Sequence, residues 1–269
     1  MPRHARPFLD WDGPIAMAHR GGAGEEPENT LPAFARAVEL GYTYVETDAH
    51  VSIDGVVFAF HDDVLDRVTD GTGQLSELLA ARIEEADAGY AFSSDGGASF
   101  PRRAQKITVP RLAALLDAWP HVRVNIDAKS DEVVAPLVAL IQRMNVHDRV
   151  CVGSFSDVRL RRFRRLVSDR VCTSMGPRAI SRARVASWVS GRVPRQGADA
   201  LQIPPQAGRV TLAEPRLVRA AHRSGLQVHV WTIDEAPEME RLLDIGVDGI
   251  MTDRPALLRE VLERRGQWR

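Results

Sequence analysis

A chain of 269 residues that is 44% hydrophobic and 26% charged has the balance of a soluble globular protein with a substantial core, which excludes fibrous and disordered classes. Its 35 basic and 36 acidic residues leave a formal net charge of −1, so no global field draws it to nucleic acid or an anionic membrane, and any phosphate recognition must be local. Only two cysteines occur, Cys151 and Cys172, each inside a predicted strand, where they read as small buried hydrophobes that suit a reducing compartment. The basic start, Met1 to Pro7, leads into Phe8-Leu9-Asp10-Trp11-Asp12 with no apolar h-region, and no run is long enough to cross a bilayer. A cytoplasmic protein with no stable membrane insertion is expected.

Short β-rich runs then alternate with helical stretches. Strands are predicted at 15–20, 44–52 with a return run at 56–61, 122–129, 150–155, 171–175, 199–203, 226–233 and 248–252. Helices are predicted at 31–40, 132–144, 157–167, 213–224, 235–244 and 255–265, with Thr30 placed to start the first and Gly41, Gly225 and Gly246 following helical stretches. From 63 to 110 the repeat breaks into a long segment, read as a small inserted subdomain over the mouth of the fold; 176–198, rich in Arg and Ser, reads as a lesser excursion.

The second strand carries the most informative pattern. In Tyr44-Val45-Glu46-Thr47-Asp48-Ala49-His50, alternation sends Tyr44, Glu46, Asp48 and His50 to one face and the smaller apolar set to the other. Two neighbouring carboxylates in a partly buried site repel, and one must hold a proton unless a cation lies between them. The run 122–129 repeats the theme with Asn125, Asp127 and Lys129 on one face. A solvated edge strand explains either run alone; the pair, together with nearby histidines, points to a site. Oxygen donors favour Mg²⁺ or Ca²⁺, with Mn²⁺ as a third candidate, and the absence of clustered Cys or His ligands disfavours structural Zn²⁺.

About eight strand units in a chain of this length match a (β/α)8 barrel, which needs roughly 250 residues, better than an open doubly wound sheet. The polar positions fall at carboxyl ends of predicted strands, where barrel enzymes build their sites: His19, Arg20, Glu46, Asp48, Asp127, Lys129, Gln202 and Asp253, with Phe155 and Trp231 beside them. Gly21-Gly22-Ala23-Gly24 imitates a dinucleotide turn but runs into Glu25-Glu26-Pro27-Glu28, a poor cradle for pyrophosphate. Phe155, Gln202 and Trp231 are assigned to the substrate pocket, with plain barrel packing as the alternative for the two aromatics. His4, His50, His121, His147, His222 and His229 are read as structural or surface residues, although His50 shares the Glu46 and Asp48 face.

The run His19-Arg20-Gly21-Gly22, then Pro27-Glu28-Asn29-Thr30, Glu46-Thr47-Asp48, Asp54-Gly55 and His61-Asp62 resembles the opening signature of the glycerophosphodiester phosphodiesterase family. The resemblance continues through Leu65 to Gly71, Asp127-Ala128-Lys129, Val230-Trp231-Thr232 and Gly246 to Asp253, in order along nearly the whole chain. It implies one (β/α)8 domain over 1–269 with a subdomain inserted after the second strand, and metal-dependent hydrolysis of glycerophosphodiesters to sn-glycerol 3-phosphate and an alcohol. Carried over by position, it makes His19 and His61 the general acid and base, Arg20 and Lys129 phosphate binders, and Glu46, Asp48 and Asp127 ligands of the divalent metal. Two departures bear on substrate: Asp127 stands where many members have Glu, and Asp234 stands where Asn often follows the Trp-Thr pair, adding negative charge near the mouth if it faces the pocket. Two other readings are a lysophospholipase D-type enzyme, for which Tyr90, Phe92 and Phe100 with Arg102, Arg103 and Lys106 are the rim candidates, and a non-catalytic barrel that binds a phosphorylated ligand. The head group and the oligomeric state are not legible; the expected partner is a small glycerophosphodiester and not nucleic acid.

Overall fold

The structure is a computed structural model that describes residues 6–167 and 169–269. The start of the chain, Met1 to Ala5 with His4, lies outside the described residues. Eight parallel strands follow the order β6-β5-β4-β2-β1-β11-β10-β7. They are β1 (Ile15–Ala18), β2 (Tyr44–Val51), β4 (Arg123–Ala128), β5 (Val150–Gly153), β6 (Cys172–Thr173), β7 (Ala200–Ile203), β10 (Gln227–Val230) and β11 (Gly249–Thr252). The ends of this path meet at a parallel bridge between Ser174 and Ala200, where Asp199 N–H donates to Thr173 O and Met175 N–H to Ala200 O. The sheet is thus drawn into a nearly closed barrel, as the strand count and the strand-end clustering lead one to expect.

Crossover helices α1 (Leu31–Glu39), α3 (Leu112–Ala118), α4 (Val134–Met144), α5 (Asp157–Leu166), α6 (Pro177–Val189), α7 (Pro215–His222) and α8 (Ala236–Asp244) link successive barrel strands, and α9 (Pro255–Arg264) follows the last. Two of them correct the sequence reading. The stretch 176–198 is not an excursion: α6 is a full crossover helix whose buried stripe, Ala179, Ala183 and Ser187, is made of residues too small to register as an apolar face. The seven-residue α3 lies just past the expected insertion and also completes a regular unit. Strands 15–20, 171–175 and 226–233 prove shorter than expected, because the chain turns away from the ladder once it reaches the mouth.

The insertion after the second barrel strand is present. The antiparallel β3 (Val57–Ala59) pairs back on β2, then α2 (Ala80–Glu84) and short turns pack Phe58, Phe60, Leu65, Leu75, Ile83 and Val109 into a separate small core. A hairpin of β8 (Gln206–Ala207) and β9 (Val210–Thr211) forms a second, smaller device in the loop after β7.

Alternation along the strands sorts the side chains. Val45, Ala49 and Val51 of β2 pack outward against the helices with Val124, Ile126 and Ala128 of β4. Ile15, Met17, Tyr44, Cys151, Cys172 and Met251 fill the interior with Phe8 and Leu9 from the amino-terminal segment. That segment closes the floor: Tyr44 Oη donates to Phe8 O at 2.7 Å and Gln227 Nε2 to Leu9 O at 3.1 Å. Cys151 and Cys172 are buried free thiols, paired in register on adjacent strands.

Candidate active site

Six consecutive register pairs between β2 and β4 place Glu46 level with Asn125 and Asp48 level with Asp127. Neighbouring strands lie about 4.8 Å apart, so the carboxylates of the two runs are brought side by side at the mouth. All three acids are buried. The Lys129 ammonium bridges Asp48 Oδ1 and Asp127 Oδ2, at 2.8 Å from each. Arg20 Nε stands 3.1 Å from Asp48 Oδ2, and its backbone N–H donates to Glu46 Oε2 at 3.1 Å. Arg20 holds a left-handed backbone, φ 51°, that turns this N–H toward Glu46; Gly21 beside it tolerates no Cβ, which would lie 2.7 Å from that of Ala33 at the start of α1.

Charge in this cluster is unevenly compensated. Burial, then the neighbouring Asp48, pushes Glu46 up to about 7, against the pull of His19, Arg20 and Lys129. Burial also works against ionised Asp48, but Lys129 and Arg20 outweigh it and hold this carboxyl below its ordinary value. Burial raises Asp127 in spite of Lys129. Asn29, whose Nδ2 donates to Asp48 at 2.9 Å, is itself fixed by Thr47 Oγ1 at 2.7 Å, so the polar outward residue of β2 serves the site from behind.

Both histidines present one ring nitrogen to a carboxylate. His19 Nδ1 lies 2.6 Å from Asp253 Oδ1, leaving Nε2 facing Glu46 Oε2 at 3.8 Å. Burial disfavours a charged His19, yet Glu46 and Asp253 prevail and raise its pKa. His61 Nδ1 lies 2.5 Å from Asp62 Oδ1, and Asp62 is held in turn by Arg67 Nε at 2.5 Å. Arg67 and Arg20 both reach Glu28, which ties the two loops together. His50, on the same face of β2 as Glu46 and Asp48, has Nε2 at 3.1 Å from the His61 carbonyl and holds the His61 loop.

A cavity of about 610 Å³ opens over these groups, and His19, Arg20, Glu46, Asp48, His61, Asp127, Lys129, Phe155, Gln202 and Trp231 all line it. Every residue assigned to the site from sequence is therefore gathered in one place. Phe155 and Trp231 meet edge to face with centroids 5.5 Å apart, and Lys129 Nζ lies 5.7 Å from the Phe155 centroid; Phe155 is an exposed lip, while Trp231 also packs on the interior core. Gln202 Nε2 donates to Asn125 Oδ1 at 2.7 Å on the polar floor. Sequence reasoning did not assign Asp253, Asp62, Asn29 or Asn125; the His61-Asp62 pair and the acid ending the last strand were the signals available. It also missed Met175, Ile180 and Leu212, an apolar wall from the loop after β6, from α6 and from the end of the hairpin, for which no sequence signal stood out. Asp234 does not face the cavity: it accepts from Thr252 Oγ1 and from Asp253 N–H at 2.8 Å, anchoring the residue that orients His19. Of the rim candidates in the insertion, Arg103 stacks on Tyr90 and Phe100, Arg102 pairs with Glu26, and none of the six lines the cavity.

Among the described residues, no three His, Cys, Asp or Glu side chains are gathered closely enough to hold an ion as they stand. The donor chemistry nonetheless fits a hard cation. Glu46, Asp48 and Asp127 offer buried carboxylate oxygens, and burial together with the neighbouring Asp48 opposes the charge of Glu46, an opposition that a cation between them would relieve.

Comparison with known proteins agrees with this geometry. The family model described as "Glycerophosphoryl diester phosphodiesterase family" matches residues 19–257. A Mycobacterium tuberculosis protein named "Probable glycerophosphodiester phosphodiesterase 2" is 40% identical over 97% of this chain and 95% of its own length. A "Glycerophosphodiester phosphodiesterase" of Caldanaerobacter subterraneus is 28% identical over 94% of this chain and 99% of its own. Among solved structures, an Oleispira antarctica phosphodiesterase in complex with the product sn-glycerol-3-phosphate shares the fold, with a TM-score of 0.77, 24% identity, and coverage of 93% of this chain and 97% of that one. With a family match across most of its length and a relative at 40% identity, the chain belongs to the glycerophosphoryl diester phosphodiesterase family.

Proposed function

We propose that this enzyme hydrolyses its glycerophosphodiester through His19 and His61 as the proton-transfer pair, with Glu46, Asp48 and Asp127 as ligands of a divalent cation. The observation that carries the reading is the pairing of each histidine with its own carboxylate while both rings line one cavity beside a cationic cluster. A phosphodiester anion repels a nucleophile, so cleavage needs charge neutralised, a proton taken from the attacking oxygen and a proton given to the leaving one. Asp253 and Asp62 fix Nδ1 of each ring and leave Nε2 for the substrate. Arg20 and Lys129 bring positive charge to the non-bridging oxygens. A Mg²⁺, Ca²⁺ or Mn²⁺ ion held by the three carboxylates would supply Lewis-acid neutralisation of the phosphoryl group. Phe155 and Trp231 wall the side on which the substrate enters. The product held by the Oleispira antarctica relative supports a glycerol 3-phosphate moiety on the retained side of the scissile bond.

The test is coupled detection of sn-glycerol 3-phosphate released from glycerophosphocholine, glycerophosphoethanolamine and glycerophosphoglycerol, with each metal and with EDTA. Release should need a divalent ion and should fall by about 10²–10⁴-fold in His19→Ala and in His61→Ala, the range expected for loss of a general acid or base. Undiminished turnover in EDTA would remove the metal from the reading, and near-normal rates in the folded double variant would remove the histidines.

A further inference from the structure

The overall charge of −1 hides a strongly basic segment. Between Gly176 and Arg223 the chain carries nine arginines and only two acids, Asp199 and Glu214. Both acids are already engaged, Asp199 with Arg6 and Arg195 and Glu214 with Arg184. The segment comprises α6, the β8–β9 hairpin and α7. It also carries four large apolar side chains that stand in solvent: Val189 is 83% exposed, Val185 64%, Trp188 55% and Val210 50%. An exposed apolar group rimmed by cations calls for a partner.

The placement indicates which partner. On α6, Pro177, Ile180, Ser181 and Arg184 face the cavity at helical spacing, and Trp188 continues the same stripe one turn further out. Val210 of the hairpin both lines the cavity and faces solvent. The lining of the active site therefore continues onto the exposed surface, through Arg184 to Trp188 on α6 and through Val210 on the hairpin. Trp188 stands there beside two guanidinium groups, Arg216 at 4.2 Å and Arg184 at 5.0 Å from its ring. A tryptophan flanked by arginines has the amphipathic character favoured at the bilayer interface, and clustered arginines are drawn to anionic head groups.

We propose that α6 and the β8–β9 hairpin form a peripheral docking surface for an anionic lipid bilayer. The apolar tips of Val185, Trp188, Val189 and Val210 enter the head-group boundary, while the arginines around them meet lipid phosphates. Docking there brings the active-site mouth to the surface at which lipid-derived diesters arise. Nothing in this binding depends on catalysis, so it is tested apart from the hydrolytic reading.

The experiment is co-sedimentation of the full chain with vesicles of phosphatidylcholine alone and of equal parts phosphatidylcholine and phosphatidylglycerol, at low and at physiological salt. The protein should pellet with the anionic vesicles, less so as salt rises, and little with the neutral ones. Val189→Asp and Arg216→Glu, both at exposed positions outside the cavity lining, should each weaken this binding by about tenfold while hydrolysis of dissolved glycerophosphocholine stays unchanged. No pelleting with anionic vesicles at low salt would overturn the proposal. So would equal pelleting with neutral vesicles, undiminished binding in both variants, or tighter binding to polyuridylate than to the anionic vesicles at equal salt.

Discussion

His19 and His61 draw their orientation from acids that do not themselves line the cavity. Asp253, 2.6 Å from His19 Nδ1, is in turn tethered by Asp234, so a chain of two carboxylates sets one ring. Asp253→Asn should lower kcat by at least about tenfold, since the wrong tautomer is then favoured, with a smaller change in KM; equal losses in both would mean that Asp253 acts on binding. Glu46 carries a pH signature. Its proton is held more tightly in the fold than in the unfolded chain, so the stabilisation from protonation is complete below the ordinary value of 4.5 and is lost as pH rises toward about 7. In EDTA, Glu46→Gln should therefore match the parent in Tm at low pH and exceed it above pH 7. A parent that gains stability relative to the variant over that window would show Glu46 ionised in the fold. The residues of the site were legible as types and spacings. Their second partners were less so, because a hydrogen bond across 234 positions of sequence leaves no local pattern.

At the scale of elements, α1 joins fold to site. Thr30 caps it, accepting from Ala33 N–H and donating to Pro27 O at 2.7 Å, and the loop so fixed presents Asn29 to Asp48. Thr30→Ala should cost about 1 kcal/mol, which for a chain of this size is roughly 2–4 °C in Tm; an unchanged melt would show the cap to be dispensable. Elements with strong periodicity and clear caps were readable, as α1, α4 and α5 show. The helix α6 was not, because alanine and serine pack its inner face while valine and tryptophan stand outside, reversing the pattern on which amphipathic reading depends. That reversal is also what marks its outer surface as a place of contact.

For the whole molecule, the floor and the mouth of the barrel are separable. Phe8 and Leu9 plug the end opposite the cavity, and Phe8 is buried with Tyr44 at 5.2 Å. Phe8→Ala should destabilise the protein by about 3–5 kcal/mol and leave KM for glycerophosphocholine unchanged at temperatures where it stays folded; a large KM effect would mean that the floor and the site are coupled. Among the described residues no helix is long and apolar enough to cross a membrane. The sequence by itself determined the barrel class, the insertion after the second barrel strand and the identity of the polar cluster, because strand alternation and strand-end position are local properties of the chain. Only the tertiary structure decided that Lys129 lies between Asp48 and Asp127, that Asp253 belongs to His19, and that the basic segment from Gly176 to Arg223 borders the active-site mouth. Each of these depends on register and closure, which bring together residues that no spacing in the chain relates.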